Sequence, residues 1–120
     1  MGRVIALVDD LLFQSKLAET ARHVGVELKV VGTGDALLAA ADATGQDAPA
    51  LLIVDLNARQ GALGAIEKLH ASGNTVPVIA FLSHVQVELA ERARAAGCRE
   101  VMPRSKFTQN LAAILSQAQS

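Results

Sequence analysis

Five apolar bursts, each followed by a stretch of helical period, constrain this chain more than any other feature. The bursts cover residues 4–8, 26–31, 51–54, 78–82 and 100–102. Four are rich in Val, Ile and Leu without clean alternation, as expected of strands covered on both faces in a parallel sheet. The second carries Glu27 and Lys29 and alternates, which predicts a less buried edge strand. After the first burst, Phe13, Leu17, Ala21 and Val24 recur at helical spacing, and Gly25 supplies a stop. Leu37, Leu38 and Ala41 predict a second helix, with Thr33 or Asp35 as N-cap. Ile66 and Leu69 mark a third that ends near Gly73, and Val85, Leu89, Ala93 and Ala96 a fourth that ends at Gly97. Phe107, Leu111, Ile114, Leu115 and Ala118 mark the last, with Ser105 as candidate N-cap. Strand and helix alternate five times, which predicts an α/β fold: a doubly wound, five-stranded parallel sheet of order 2-1-3-4-5.

At 120 residues the chain, 1–120, reads as one domain, long enough to bury a core without disulfide or metal staples. Its net charge of −1 and scattered basic residues give no footprint for nucleic acid. No apolar run approaches the length of a membrane span. The first burst ends in two aspartates and lacks a small-residue cleavage site, so it reads as a strand and not a signal peptide. The expected location is cytoplasmic. The single cysteine, Cys98, excludes an intramolecular disulfide and reads as a half-buried side chain at a helix-to-strand turn. His23, His70 and His84 share no metal-ligand spacing.

In open sheets of this kind, ligands bind outside the carboxyl ends of the strands, at the switch point between the first and third. Those ends carry Asp9 and Asp10; Asp55, Leu56 and Asn57; Leu82, Ser83 and His84; and Pro103, Arg104, Ser105 and Lys106. Asp9, Asp10 and Asp55 are therefore expected on one edge. Two like charges about 4 Å apart repel by roughly 4 kcal/mol at an effective dielectric of about 20. Such a cluster raises one carboxylate's pKa or recruits a cation. Carboxylates with a backbone carbonyl and waters suit Mg2+. Any one of these aspartates also fits an ordinary strand-to-helix turn or N-cap.

In these residues the chain resembles the receiver domain of bacterial response regulators, over its whole length. Asp9-Asp10 is similar to that family's first-strand acidic pair, and residues 51–55 to the strand carrying its phospho-acceptor aspartate. Asn57 matches the position whose backbone carbonyl completes the metal site. Residues 76–80 resemble the start of the family's fourth strand, and Ala95-Ala96-Gly97 the small-residue helix end before its fifth. The resemblance implies a flavodoxin-like (βα)5 fold. It implies Asp55 as phospho-acceptor, and Asp9, Asp10, Asp55 and Asn57 as holders of Mg2+. It further implies partners such as a histidine kinase or phosphotransfer protein, and a partner or homodimer surface on the fourth helix, fifth strand and fifth helix.

The sequence departs from that pattern on the other half of the site. The family's hydroxyl residue at the end of the fourth strand falls on Leu82, with Ser83 as its substitute if the strand is bulged or shifted. The family's lysine falls on Arg104, with Lys106 as a second candidate, and the following proline is replaced by Ser105. The aromatic switch position falls on Val101, and residues 56–61 lack the usual Met-Pro. Three functions compete. The first is a stand-alone receiver that accepts a phosphoryl group on Asp55, with Arg104 and Ser83 serving the phosphoryl oxygens. The second is a pseudo-receiver, a phosphorylation-independent protein-interaction module. The third, an enzyme, ranks last: Gly32-Thr33-Gly34-Asp35 follows the second strand and not the first, a poor phosphate cradle. The chain ends at Ser120 without an output domain, so it is expected to act through another protein or by homodimerising.

Overall fold

The computed structural model describes residues 2–58, 61–83 and 86–119. His84 and Val85, expected at the end of the fourth strand and in the fourth helix, and Arg59 and Gln60, in the loop after Asp55, lie outside the described residues. Strands β1 (Arg3–Leu7), β2 (Glu27–Val31), β3 (Leu51–Asp55), β4 (Val78–Leu82) and β5 (Glu100–Pro103) form one parallel sheet of order β2-β1-β3-β4-β5. This is the predicted topology. β3 and β4 are buried along their whole length, whereas β2, at the edge, alternates between exposed and covered positions. The alternating pattern thus marked β2 as an edge, but β5, at the other edge, buries only Met102 of its four residues, contrary to the cover on both faces expected of its short burst.

The helices cover both faces. Helices α1 (Leu11–Val24), α5 (Arg104–Gln109) and α6 (Leu111–Ser116) pack on one, where Val4, Ala6, Ile53, Ile79, Phe81 and Met102 point. Helices α2 (Gly34–Ala41), α3 (Ala62–Ala71) and α4 (Val87–Ala95) pack on the other, against Ile5, Leu7, Leu52, Val54, Ala80 and Leu82. α1 stops at Gly25, whose φ of 75° lies in the left-handed region that an L side chain adopts only at a cost. Thr33, not Asp35, caps α2: its hydroxyl oxygen accepts from Ala36 N at 3.0 Å.

The last helix differs from expectation. It begins at Arg104, so Ser105 lies inside its first turn and is not the N-cap. Pro103 takes the cap position in an extended conformation and has no side-chain group to offer. The helix is also broken. Asn110 sits at φ −108°, ψ 14° between α5 and α6, and its side-chain amide donates to Lys106 O at 2.9 Å. An asparagine that bonds back to the preceding turn competes with the helical ladder, which the apolar periodicity does not register.

Candidate functional site

The candidate site is built on the carboxyl rim of the α1–α5–α6 face. Asp55 closes β3 on the same side of the sheet as Leu51 and Ile53. It is 4% exposed, the only buried polar or charged residue among the described residues. Its Oδ1 accepts from Asn57 N at 2.9 Å, and its Oδ2 from Arg104 Nη2 at 3.2 Å. Burial pushes the Asp55 carboxyl above its ordinary value, and the negative charge of Asp9 adds to that. The Asn57 N–H and the Arg104 guanidinium pull the other way without cancelling it.

Asp10 faces two ways. Its Oδ1 caps α1, accepting from Leu12 N at 2.9 Å and Phe13 N at 3.2 Å, and its Oδ2 accepts from Arg104 Nη1 at 3.4 Å. Arg104 therefore joins the first strand's acidic pair to the third strand's terminal carboxylate. The guanidinium lies over aromatic rings, with Cζ 4.6 Å from the centroid of Phe13 and 5.3 Å from that of Phe81. Its Nε is buried without a hydrogen-bond partner among the described residues. Phe13, Phe81 and Phe107 are the chain's only aromatic residues, and all three gather here, with centroids 4.5 to 6.0 Å apart.

On the far side, Leu82 is 4% exposed and packs in the core under α2, α3 and α4. β4 pairs with β3 in unbroken register through Asp55 and Phe81, so no bulge brings Ser83 into Leu82's place. Ser83 instead donates its hydroxyl to Asn57 Oδ1 at 2.9 Å, and its N–H to the same oxygen at 2.7 Å. Asn57 Nδ2 in turn donates to Gln86 Oε1 at 2.9 Å. The sequence had offered only Asn57's backbone carbonyl; its side chain links the loop after β3 to the start of α4. The floor of phenylalanines and the Gln86 contact were also missed. A signal for the floor existed, since Phe13 and Phe107 both stand at core-facing helical positions. Val101 is half-buried against the core on Leu82's side. No peptide bond among the described residues is cis.

No protein-family model matches the chain, and no curated protein does either. Solved structures do. A DNA-binding response regulator of the LuxR family from Staphylococcus aureus is 11% identical, with a TM-score of 0.82 over 100% of both chains. The phosphorylated cyanobacterial phytochrome response regulator RcpA is 14% identical, with a TM-score of 0.78 over 96% of this chain and 89% of that one. The Mn2+-bound form of response regulator Rcp1 is also 14% identical, with a TM-score of 0.77 over 97% of this chain and 90% of that one. This chain has the receiver-domain fold. One structure with that fold therefore holds a divalent cation.

The residues of this receiver fold do not fit such an ion as they stand. Among the described residues no three His, Cys, Asp or Glu side chains gather closely enough to hold a metal. Both oxygens of Asp10 and both of Asp55 already accept hydrogen bonds. A full positive charge, the Arg104 guanidinium, lies between them. No helix among the described residues is long and apolar enough to cross a membrane.

Proposed function

We propose that this chain is a signalling receiver of the two-component type that works in the cytoplasm as a protein-interaction module, its pocket set by Arg104 and not by phosphorylation. One observation carries this reading. Arg104 clamps Asp55 and Asp10, while the residue at the family's hydroxyl position, Leu82, is buried in the opposite core. A phosphoryl group switches a protein only through its differential affinity for two states. A leucine side chain offers no hydrogen bond to a phosphoryl oxygen, and Val101 has no ring to turn. The partner surface is the α4–β5–α5 face, for a protein partner or a second copy of the chain. A shallow groove there is lined by Leu82, Val87, Ala90, Arg94 and Val101, and Val87 is 60% exposed.

A second reading is favoured by Asp55 itself, a lone buried carboxylate at the end of β3. In it, an Asp55 oxygen attacks the phosphorus of a phosphohistidine on a kinase or phosphotransfer protein, or of acetyl phosphate. The new O–P bond forms as the donor's P–N or P–O bond breaks, the histidine imidazole or acetate departs, and an aspartyl phosphate remains. Arg104 and Ser83 would serve the phosphoryl oxygens. Asp9, Asp10, Asp55 and the Asn57 carbonyl would hold Mg2+ only after Arg104 had withdrawn. Intact mass after incubation with Mg2+ and acetyl phosphate, with Asp55→Asn alongside, separates the two readings. No mass gain is expected. Gain of one phosphoryl group, absent in the variant, would establish the second reading instead.

A further inference from the structure

We infer that Arg104 is the resident cation of this pocket: its guanidinium holds the place between Asp10 and Asp55, and a divalent metal competes with it for the same carboxylate oxygens. The inference deepens the proposed function and rests on its arginine-clamped pocket.

The hydrogen bonds are the first argument. Each carboxylate has one oxygen committed to backbone and the other to the guanidinium. Asp10 Oδ1 serves Leu12 N and Phe13 N, and Asp55 Oδ1 serves Asn57 N. The two Oδ2 atoms that remain lie 3.4 and 3.2 Å from Nη1 and Nη2 of the same arginine. A planar fork with two terminal nitrogens can serve two carboxylates at once, whereas a lysine ammonium is a single point charge. Mg2+ requires oxygen ligands at roughly 2.0–2.1 Å in near-octahedral array. It can reach these oxygens only by displacing the guanidinium.

Anchoring is the second. Arg104 is the first residue of α5, directly after Pro103, whose ring fixes its own φ. Its guanidinium rests on the faces of Phe13 and Phe81, both buried, and its Nε is closed off from solvent. Withdrawal would forfeit both carboxylates and the ring contacts together. The aromatic floor thus holds the cation at the rim.

The probe is Mn2+ alone, followed by the loss of its free-ion electron paramagnetic resonance signal on titration with the full chain. Arg104→Met keeps an apolar stem over the rings and removes the charge. It is expected to bind Mn2+ at least about tenfold more tightly than the wild type, the difference made by about one charge-assisted bond. Asp55→Asn added to Arg104→Met should abolish the gain. Equal affinity in wild type and Arg104→Met, or no binding by a folded Arg104→Met, overturns the inference. If that variant fails to fold, the wild type still decides. Its Arg104 Nε–Hε resonance should shift saturably with Mg2+, in step with the backbone amides of Asp10 and Asp55, as the guanidinium is displaced; Mg2+ shifts at those amides with the Arg104 resonance unmoved would overturn the inference. Phosphorylation is read separately: a mass gain on Asp55 would sink the constitutive reading and leave the metal competition measured on its own terms.

Discussion

The two faces of the sheet are packed by different chemistry. Under α1, α5 and α6 the core contains every aromatic ring of the chain, together with Met102. Under α2, α3 and α4 the described residues of the core are wholly aliphatic, seventeen buried side chains that are all Ile, Leu, Val or Ala. The rims follow the floors. The aromatic face ends in Asp55 and Arg104, because ring faces attract a guanidinium and tolerate its half-burial. The aliphatic face ends in Leu56 and Leu82, side chains that offer nothing to a polar ligand. An acidic rim on one face and a leucine at the end of β4 on the other are therefore two sides of one packing arrangement.

The largest test of that contrast is Phe107→Ala. Phe107 is fully buried and stacks on Phe81 at 4.5 Å, so its truncation should cost about 3–5 kcal/mol in chemical denaturation. A cost under about 1 kcal/mol would show that the rings are not an integrated floor. Next comes a pH test on the aliphatic side, where Cys98 packs at the margin of that core. Burial pushes its thiol up to about 11 from 9.0. The thiolate is the reactive form, so at pH 8 the folded chain should alkylate roughly a hundredfold more slowly than the unfolded chain. The rate should rise with pH up to the raised value; equal rates would mean that the margin is open to water. The smallest effect is expected at Asn57, which joins the two rims. Asn57→Ala loses the acceptor for both Ser83 donors and the bond to Gln86, at a cost of about 1–2 kcal/mol. Amide exchange at Ser83 should quicken. Unchanged exchange there would mean that the rims are coupled by some other route.

The topology and the edge position of β2 were legible because strand and helix periods are repeated signals that survive local exceptions. So was the site's address: once the strand order is set, Asp55 must lie at the switch point. What the sequence left open concerns side chains at element ends, where periodicity stops. Asp10 was readable both as a cap and as a pocket carboxylate, and the structure uses it as both. Leu82 or Ser83 was undecided until the β3–β4 register placed Leu82 in the aliphatic core. The break at Asn110 depends on one side-chain bond that no hydrophobic pattern reports.

The burial of Leu82 also bears on what a substitution there can do. Introducing a hydroxyl there by Leu82→Thr would strip methyl groups from a filled core and bury a polar atom in their place. The arginine would still hold the carboxylates. A hydroxyl at position 82 alone would thus weaken the fold without freeing the pocket. Packing of this kind ties the pocket's chemistry to the fold: the position that would have to turn polar to serve a phosphoryl oxygen is one that the core needs filled.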